Sequence, residues 1–380
     1  MQRFLCALLA ISFLAFSVAG TAHAGTANVN LNPQDRPNLP SDPQGAIESA
    51  RERVAAGDLP GAIRELATYV AGHPGEIAPE RLLGDLYYRH GELGKAEGQY
   101  QHILSYAPKD KETHNRLGSV FATENRVDAA IDEFNRSLPG TDSVPDLVRL
   151  HIRKGDFEQY KYEREKAAID YPTDPEDALE LGQVYLTIHQ TDLALRYFMR
   201  ALDEDPASLP ALTYLGLAYL DLHDYNNAID AFGKCMGRDP GNYPCADNLG
   251  AAYLESKQYA LASNALAIAH RLQPERGEAL VNIGYLADVN GDWKKAVTYY
   301  VQAMTVYPYA PEAYIDLGLD YMQHGFYELA QSALLKGIAV APEDGRLHFV
   351  LGDTYSRQGN QALAAVQFKI AADSFDPSVV

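Results

Sequence analysis

The sequence predicts an all-α solenoid of about ten helix-turn-helix units, about twenty helices with no sheet, and three observations predict it. Prolines that follow an apolar helical stretch recur at Pro74, Pro108, Pro172, Pro206, Pro240, Pro274, Pro308 and Pro342. Neighbours are 34 residues apart, except that Pro108 and Pro172 are separated by 64. Glycines repeat the comb independently at Gly84, Gly118, Gly182, Gly216, Gly250, Gly284, Gly318 and Gly352. Between the two combs run paired stretches with helical apolar spacing, split by a short turn.

The chain opens with MQRFLCALLAISFLAFSVAGTAHA. Arg3 precedes an apolar run from Phe4 to Ala19, and Ala22-His23-Ala24 fits a peptidase pocket that excludes large side chains. The run is short for a membrane span, which needs about 20 residues. Residues 1–24 therefore read as a signal peptide, cleaved after Ala24 to leave Gly25 first, for a periplasmic or secreted protein with no stable membrane insertion. Residues 25–42 carry three prolines and four asparagines without apolar periodicity, the composition of a flexible linker.

From residue 43 each unit follows one design. A first amphipathic helix bears the comb glycine, usually with Leu before it and an aromatic three residues on, as in Leu215, Gly216 and Tyr219. A turn follows, often with glycine (Gly91, Gly155, Gly291, Gly325, Gly359), because glycine ends a helix at little steric cost. The second helix is expected to set a small Ala against the comb glycine, with a large residue one turn on: Ala228 and Phe232, Ala194 and Phe198, Ala364 and Phe368. Proline then stops it.

These residues resemble the tetratricopeptide repeat, L-G-x2-Y, then A-x3-F, then P, in a 34-residue unit. The resemblance implies a right-handed superhelix with units near 43–76, 77–110, 111–140, 141–174, 175–208, 209–242, 243–276, 277–310, 311–344 and 345–378. The pattern's leading Trp is absent, and Trp293 falls in a second helix. Two units depart from it. The first lacks L-G-x2-Y, and the fourth has Val148 for glycine and Tyr160 for alanine, with Pro145 expected to interrupt its first helix. Gln361 and Ala372 replace large apolar residues of earlier second helices, so the last helix is expected to cap the array with less apolar surface.

Composition narrows the function. Hydrophobic residues at 47% exclude wholesale disorder, and a net charge of −19 repels phosphate backbones, so no nucleic-acid partner is expected. No G-x-x-x-x-G-K, G-x-S-x-G or H-E-x-x-H occurs, and the eleven histidines are dispersed, His90 and His324 near first-helix C-termini. No catalysis, cofactor or metal is expected. Cys235 and Cys245 would lie opposite each other across the loop at Pro240, either bridged or as two small buried hydrophobes. The family's clamp for acidic chaperone tails is missing: Arg81 with Asp85 and Asn115 with Ser119 stand where it would need other residues.

The expected partner is a protein or peptide, held as an extended segment in the concave groove for envelope or secretion complex assembly. Two other readings stay open: a structural subunit joined through its ends or convex face, and a targeting subunit of an enzyme such as a glycosyltransferase. The sequence leaves the oligomeric state unspecified. In this family first helices line the groove. Their variable positions predict a cationic stretch of Arg81, Arg89, Arg116, Arg149 and Arg153. An apolar strip follows, of Leu179, Leu186, Leu217, Leu220, Leu254, Val281, Tyr285, Ile315, Leu319 and Met322. Together they would suit a segment with hydrophobic anchors and an acidic end, unless the leucines seal adjacent first helices and the arginines pair with neighbours such as Asp85.

Overall fold

The computed structural model describes residues 42–374 apart from positions 141, 172, 309 and 343. The proposed signal peptide, all but the last residue of the linker, Pro172 and residues 375–378 of the last unit lie outside the described residues. Twenty helices and no strand make up the described chain. The first five pairs are α1 (Pro43–Ala55) with α2 (Leu59–Gly72), α3 (Ile77–Arg89) with α4 (Leu93–Tyr106), α5 (Lys111–Thr123) with α6 (Val127–Ser137), α7 (Val144–Lys154) with α8 (Phe157–Asp170), and α9 (Pro175–Thr187) with α10 (Thr191–Glu204). The second five are α11 (Leu209–Asp221) with α12 (Tyr225–Arg238), α13 (Tyr243–Glu255) with α14 (Tyr259–Leu272), α15 (Gly277–Val289) with α16 (Trp293–Val306), α17 (Pro311–Gln323) with α18 (Tyr327–Val340), and α19 (Gly345–Arg357) with α20 (Gln361–Ser374). The fold is an all-α helical-repeat solenoid.

Local chemistry sets the helix ends. Asp42, Asp58, Asp110, Asp174, Ser208, Asp224, Asn242, Asp292 and Asp344 each accept a backbone N–H of the first helical turn, satisfying a donor the helix leaves orphaned. The turn inside every pair contains one residue with positive φ. Glycine supplies it at 57, 91, 155, 291, 325 and 359, while Asn125, His189, His223 and Lys257 adopt it with a side chain.

The comb glycine works differently from the expectation. An added Cβ on Gly216 would lie 2.5 Å from the Phe232 ring, and one on Gly182 would lie 2.5 Å from Phe198. Tyr100, Phe134, Leu266, Tyr300, Leu334 and Phe368 crowd Gly84, Gly118, Gly250, Gly284, Gly318 and Gly352 in the same way. The glycine therefore admits the large residue of the second helix, which lies nearest to it. Ring or branched chain lies flat on bare backbone, which keeps the paired helices close at full packing density.

Pro145 does not interrupt α7. It occupies the first turn, where a missing N–H leaves no hydrogen bond unmade. Unit four is nonetheless distinct. Val148 fills the glycine's place, Tyr160 stacks on His151 at 4.4 Å, and α8 exposes Tyr162 and Ile169. The last helix also departs from expectation. Gln361 is exposed as foreseen, yet α20 displays Leu363, Val366 and Ile370, spaced along its outer side.

The array bends until it meets itself. One apolar cluster joins Ala46, Val54, Leu66 and Leu83 of the first two units to Leu280, Ala303, Val306 and Ala313 of the eighth and ninth. Arg51 on α1 pairs with the nearly buried Glu275 at 3.0 Å, just before α15. Arg89 at the end of α3 donates to the Glu275 carbonyl at 2.9 Å and lies over the Tyr307 ring. First helices consequently wall a space shut off on one side by this seam.

Candidate functional site: a walled central cavity

The cavity measures about 590 Å³. Its wall follows a simple rule on the first helices. On α5, α11, α13, α15 and α17 the residues two and three before the comb glycine reach it, namely Asn115 and Arg116, Thr213 and Tyr214, Asp247 and Asn248, Val281 and Asn282, and Ile315 and Asp316, whereas those of α3, α9 and α19 do not. So does the residue just after that glycine in several units, such as Asp85, Ser119, Leu217 and Tyr285. These positions recur one helical turn apart on a single face.

Of the residues expected to line a groove, seven do: Arg89, Arg116, Leu217, Leu220, Val281, Tyr285 and Ile315. The others do not. Arg81 reaches from α3 to the Asp110 carboxylate at 2.8 Å, tying neighbouring units together. Arg149 pairs with Asp146 at 2.8 Å, and Arg153 is an exposed residue off the wall. Leu179, Leu186, Leu254, Leu319 and Met322 pack in helix–helix seams, where an apolar chain loses the most water contact. The apolar strip is thus broken.

The cationic stretch is corrected as well. Arg116 lies between Asp85 at 3.3 Å and Glu112 at 2.8 Å, and Arg276 pairs with Glu278 at 3.1 Å. Arg346 bridges Asp344 and Glu312, the latter at 2.9 Å. Every arginine on the wall is held by this chain's own acceptors. What sequence reasoning missed is the acidic and tyrosine-rich character of the lining. Asp142 accepts the Tyr214 hydroxyl at 3.0 Å across two units, and Tyr243 directs its hydroxyl to Glu278 at 3.4 Å. The signal was available in the offsets from the comb glycine, which place Asp247, Asn248 and Asn282 on the wall.

Burial alters several of these acids. It raises the Asp146 carboxyl to about 6 despite Arg149 beside it. It raises Asp247 to about 7, with Glu278 adding to the effect while Asn282 and Arg276 oppose it. Burial also works against the Glu278 charge, but Arg276 and a backbone hydrogen bond outweigh it and hold that carboxyl below its ordinary value.

Outside the wall, Cys235 and Cys245 are joined in a disulfide that ties α12 to α13, with Cα atoms 6.2 Å apart. His324 hydrogen-bonds the Asp320 carbonyl at 2.8 Å and stacks on Trp293, and His90 contacts Glu92.

Helix pairs of similar length, stacked so that first members of several of them wall a cavity, define a helical-repeat solenoid. The chain belongs to the tetratricopeptide repeat family, whose profile matches residues 81–145, 179–242, 248–311 and 315–378. Members of this family generally serve as protein-binding scaffolds. In fold the chain is similar to the crystal structure of the APC/C hetero-tetramer Cut9–Hcn1, at 16% identity over 88% of this chain and 81% of that one, with a TM-score of 0.50. A thermophilic tetratricopeptide protein of Thermus thermophilus is 24% identical over 48% of this chain and 99% of that one, with a TM-score of 0.45. No curated protein matches the sequence.

Proposed function

We propose that this protein is an exported, non-catalytic scaffold that holds an extended protein or peptide segment in its central cavity, in service of an envelope or secretion complex. The carrying observation is the wall itself. Residues at repeated offsets from the comb glycine on α5, α11, α13, α15 and α17 face one common space, so several units offer contacts to a chain laid along it. Export rests on residues 1–24 and on a composition that leaves two cysteines, here bridged, once that segment is removed.

A photo-crosslinking residue placed at Tyr285, on the wall, is compared with one at Tyr162, on the outside of α8. Crosslinking in the native compartment should trap a partner from Tyr285 and little from Tyr162. The opposite pattern would move the binding face to the convex side and favour a structural subunit.

A further inference from the structure

We infer that Asp247 and Asn248 form the seat for a cationic side chain, a lysine ammonium or arginine guanidinium, carried by a segment bound in the cavity. This rests on the segment-binding reading above.

Both residues lie on α13, line the cavity and are only 6% and 3% exposed. One oxygen of Asp247 accepts from the Asn282 amide at 3.2 Å. Among the described residues no Lys, Arg or His stands within ion-pair distance of this carboxylate. A buried acid in that condition is costly to ionise unless a counter-charge arrives. Its carboxyl, held up near 7 by burial and by Glu278, behaves as such a group should.

Asn248 supplies an independent observation. Its Oδ1 is buried without a hydrogen-bond donor among the described residues. Orphaned buried acceptors are rare in folded proteins, because each one forfeits a water contact for nothing. The orphan belongs to the next residue of α13 and lines the same cavity as a carboxylate that the field of Arg276 and one amide of Asn282 offset only in part. Two acceptors exposed to one cavity, one of them ionised at pH 8, suit a donor-rich cation. The protein cannot furnish one from the wall. Arg116, Arg276 and Arg346 are committed to Asp85 and Glu112, to Glu278, and to Asp344 and Glu312, while Arg89 holds the Glu275 carbonyl. The cation therefore has to come from the ligand. An acidic-ended segment, the sequence expectation, would meet like charge at this place.

The test uses the purified protein at pH 8 and fluorescein-labelled Ser/Ala peptides with one central Lys, Arg, norleucine or Glu, read by anisotropy. Lys or Arg peptides should bind about tenfold more tightly than the norleucine peptide, and the Glu peptide most weakly. Asp247→Asn should erase that preference, and Asn248→Ala should reduce it, with helicity unchanged. If all four peptides bind alike, the cation seat is refuted while segment binding survives. If none binds, segment binding fails and the seat with it. If free arginine or putrescine competes as strongly per mole as the peptides, the seat serves a small amine and the assignment to a bound segment is overturned. The four peptides compared on the parent protein decide the matter even if a variant misfolds.

Discussion

Arg51 and Glu275, more than two hundred residues apart in sequence, form an ion pair that fastens the first helix of the array to the edge of its eighth unit. Glu275 is buried to 4% exposure, and its carbonyl also receives Arg89. Thr305 on α16 comes so near Gly57 that an added Cβ there would touch its methyl at 2.9 Å. One seam thus converts an open spiral into a walled chamber. Arg51→Glu should open it, because a carboxylate would face a buried carboxylate. We expect Arg51→Glu to lower stability by roughly 1–3 kcal/mol, and Glu275→Arg in the same chain to restore part of it, a coupling readable from urea unfolding of the four proteins.

The glycine–aromatic contact makes its own prediction. Gly216→Ala would force a methyl into Phe232, which cannot retreat from a filled core. Destabilisation of about 1–3 kcal/mol is expected, and adding Phe232→Leu should not relieve it, because Leu266 and Leu334 crowd Gly250 and Gly318 as closely. Ala at Gly233, which meets nothing, should show no such loss. Thermal unfolding of the three variants checks this.

The four non-glycine residues in the left-handed turns invite the reverse substitution. Lys257 has φ of 60° and His189 of 57°. Each carries a steric penalty that glycine escapes, about 1 kcal/mol after its greater unfolded-state freedom is counted. Lys257→Gly and His189→Gly should each raise the melting temperature. Gly291→Ala, at φ of 84°, should lower it.

The disulfide between Cys235 and Cys245 closes a short loop across two units. Short loops give the smaller entropic effect, so reduction should cost about 2–3 kcal/mol and leave the fold intact. Thr213 sits 3.1 Å from the Cys245 sulfur, so that side of the wall reports on the bond. Unfolding with and without reductant measures the difference. Alkylation of the unfolded, unreduced protein should label neither cysteine.

Asp247 predicts a pH dependence. Its folded value of about 7 stands above the ordinary 3.8, so the folded state holds the proton longer than the unfolded one. The contribution of this group to stability is therefore fully present below the ordinary value and is lost as pH climbs from there through 7. Glu278 adds to the strain, while Arg276 and the Asn282 amide oppose it. Asp247→Asn removes the ionisation. It should leave the melting temperature near the parent's at pH 4 and raise it by a few degrees at pH 8.

Helix number, unit length and turn positions were legible because each unit repeats one local solution to packing. A Gly or Pro every 34 residues speaks for itself. The closeness of Phe232 to Gly216 was not legible, since sequence order does not reveal which side chain lies over bare backbone. The wall was half legible. Leu217 and Tyr285 were found, but Leu254 and Met322 were not separable from them, because apolar residues suit seam and groove alike. Arg116 was legible as a cation, and its pairing with an acid such as Asp85 was an open alternative that the structure bears out. The seam at Arg51 and Glu275 was invisible, because it depends on how small angles between ten units accumulate.

The seam between the first and eighth units underlies the walled cavity. Spin labels at Ala56→Cys and Gln302→Cys, on either side of the seam, measure it directly in the otherwise intact protein. A narrow distribution at the short limit of the dipolar method is the expected result. A broad distribution of long distances would show that units one and eight stand apart, and the walled cavity with its buried Asp247 would then not exist in solution.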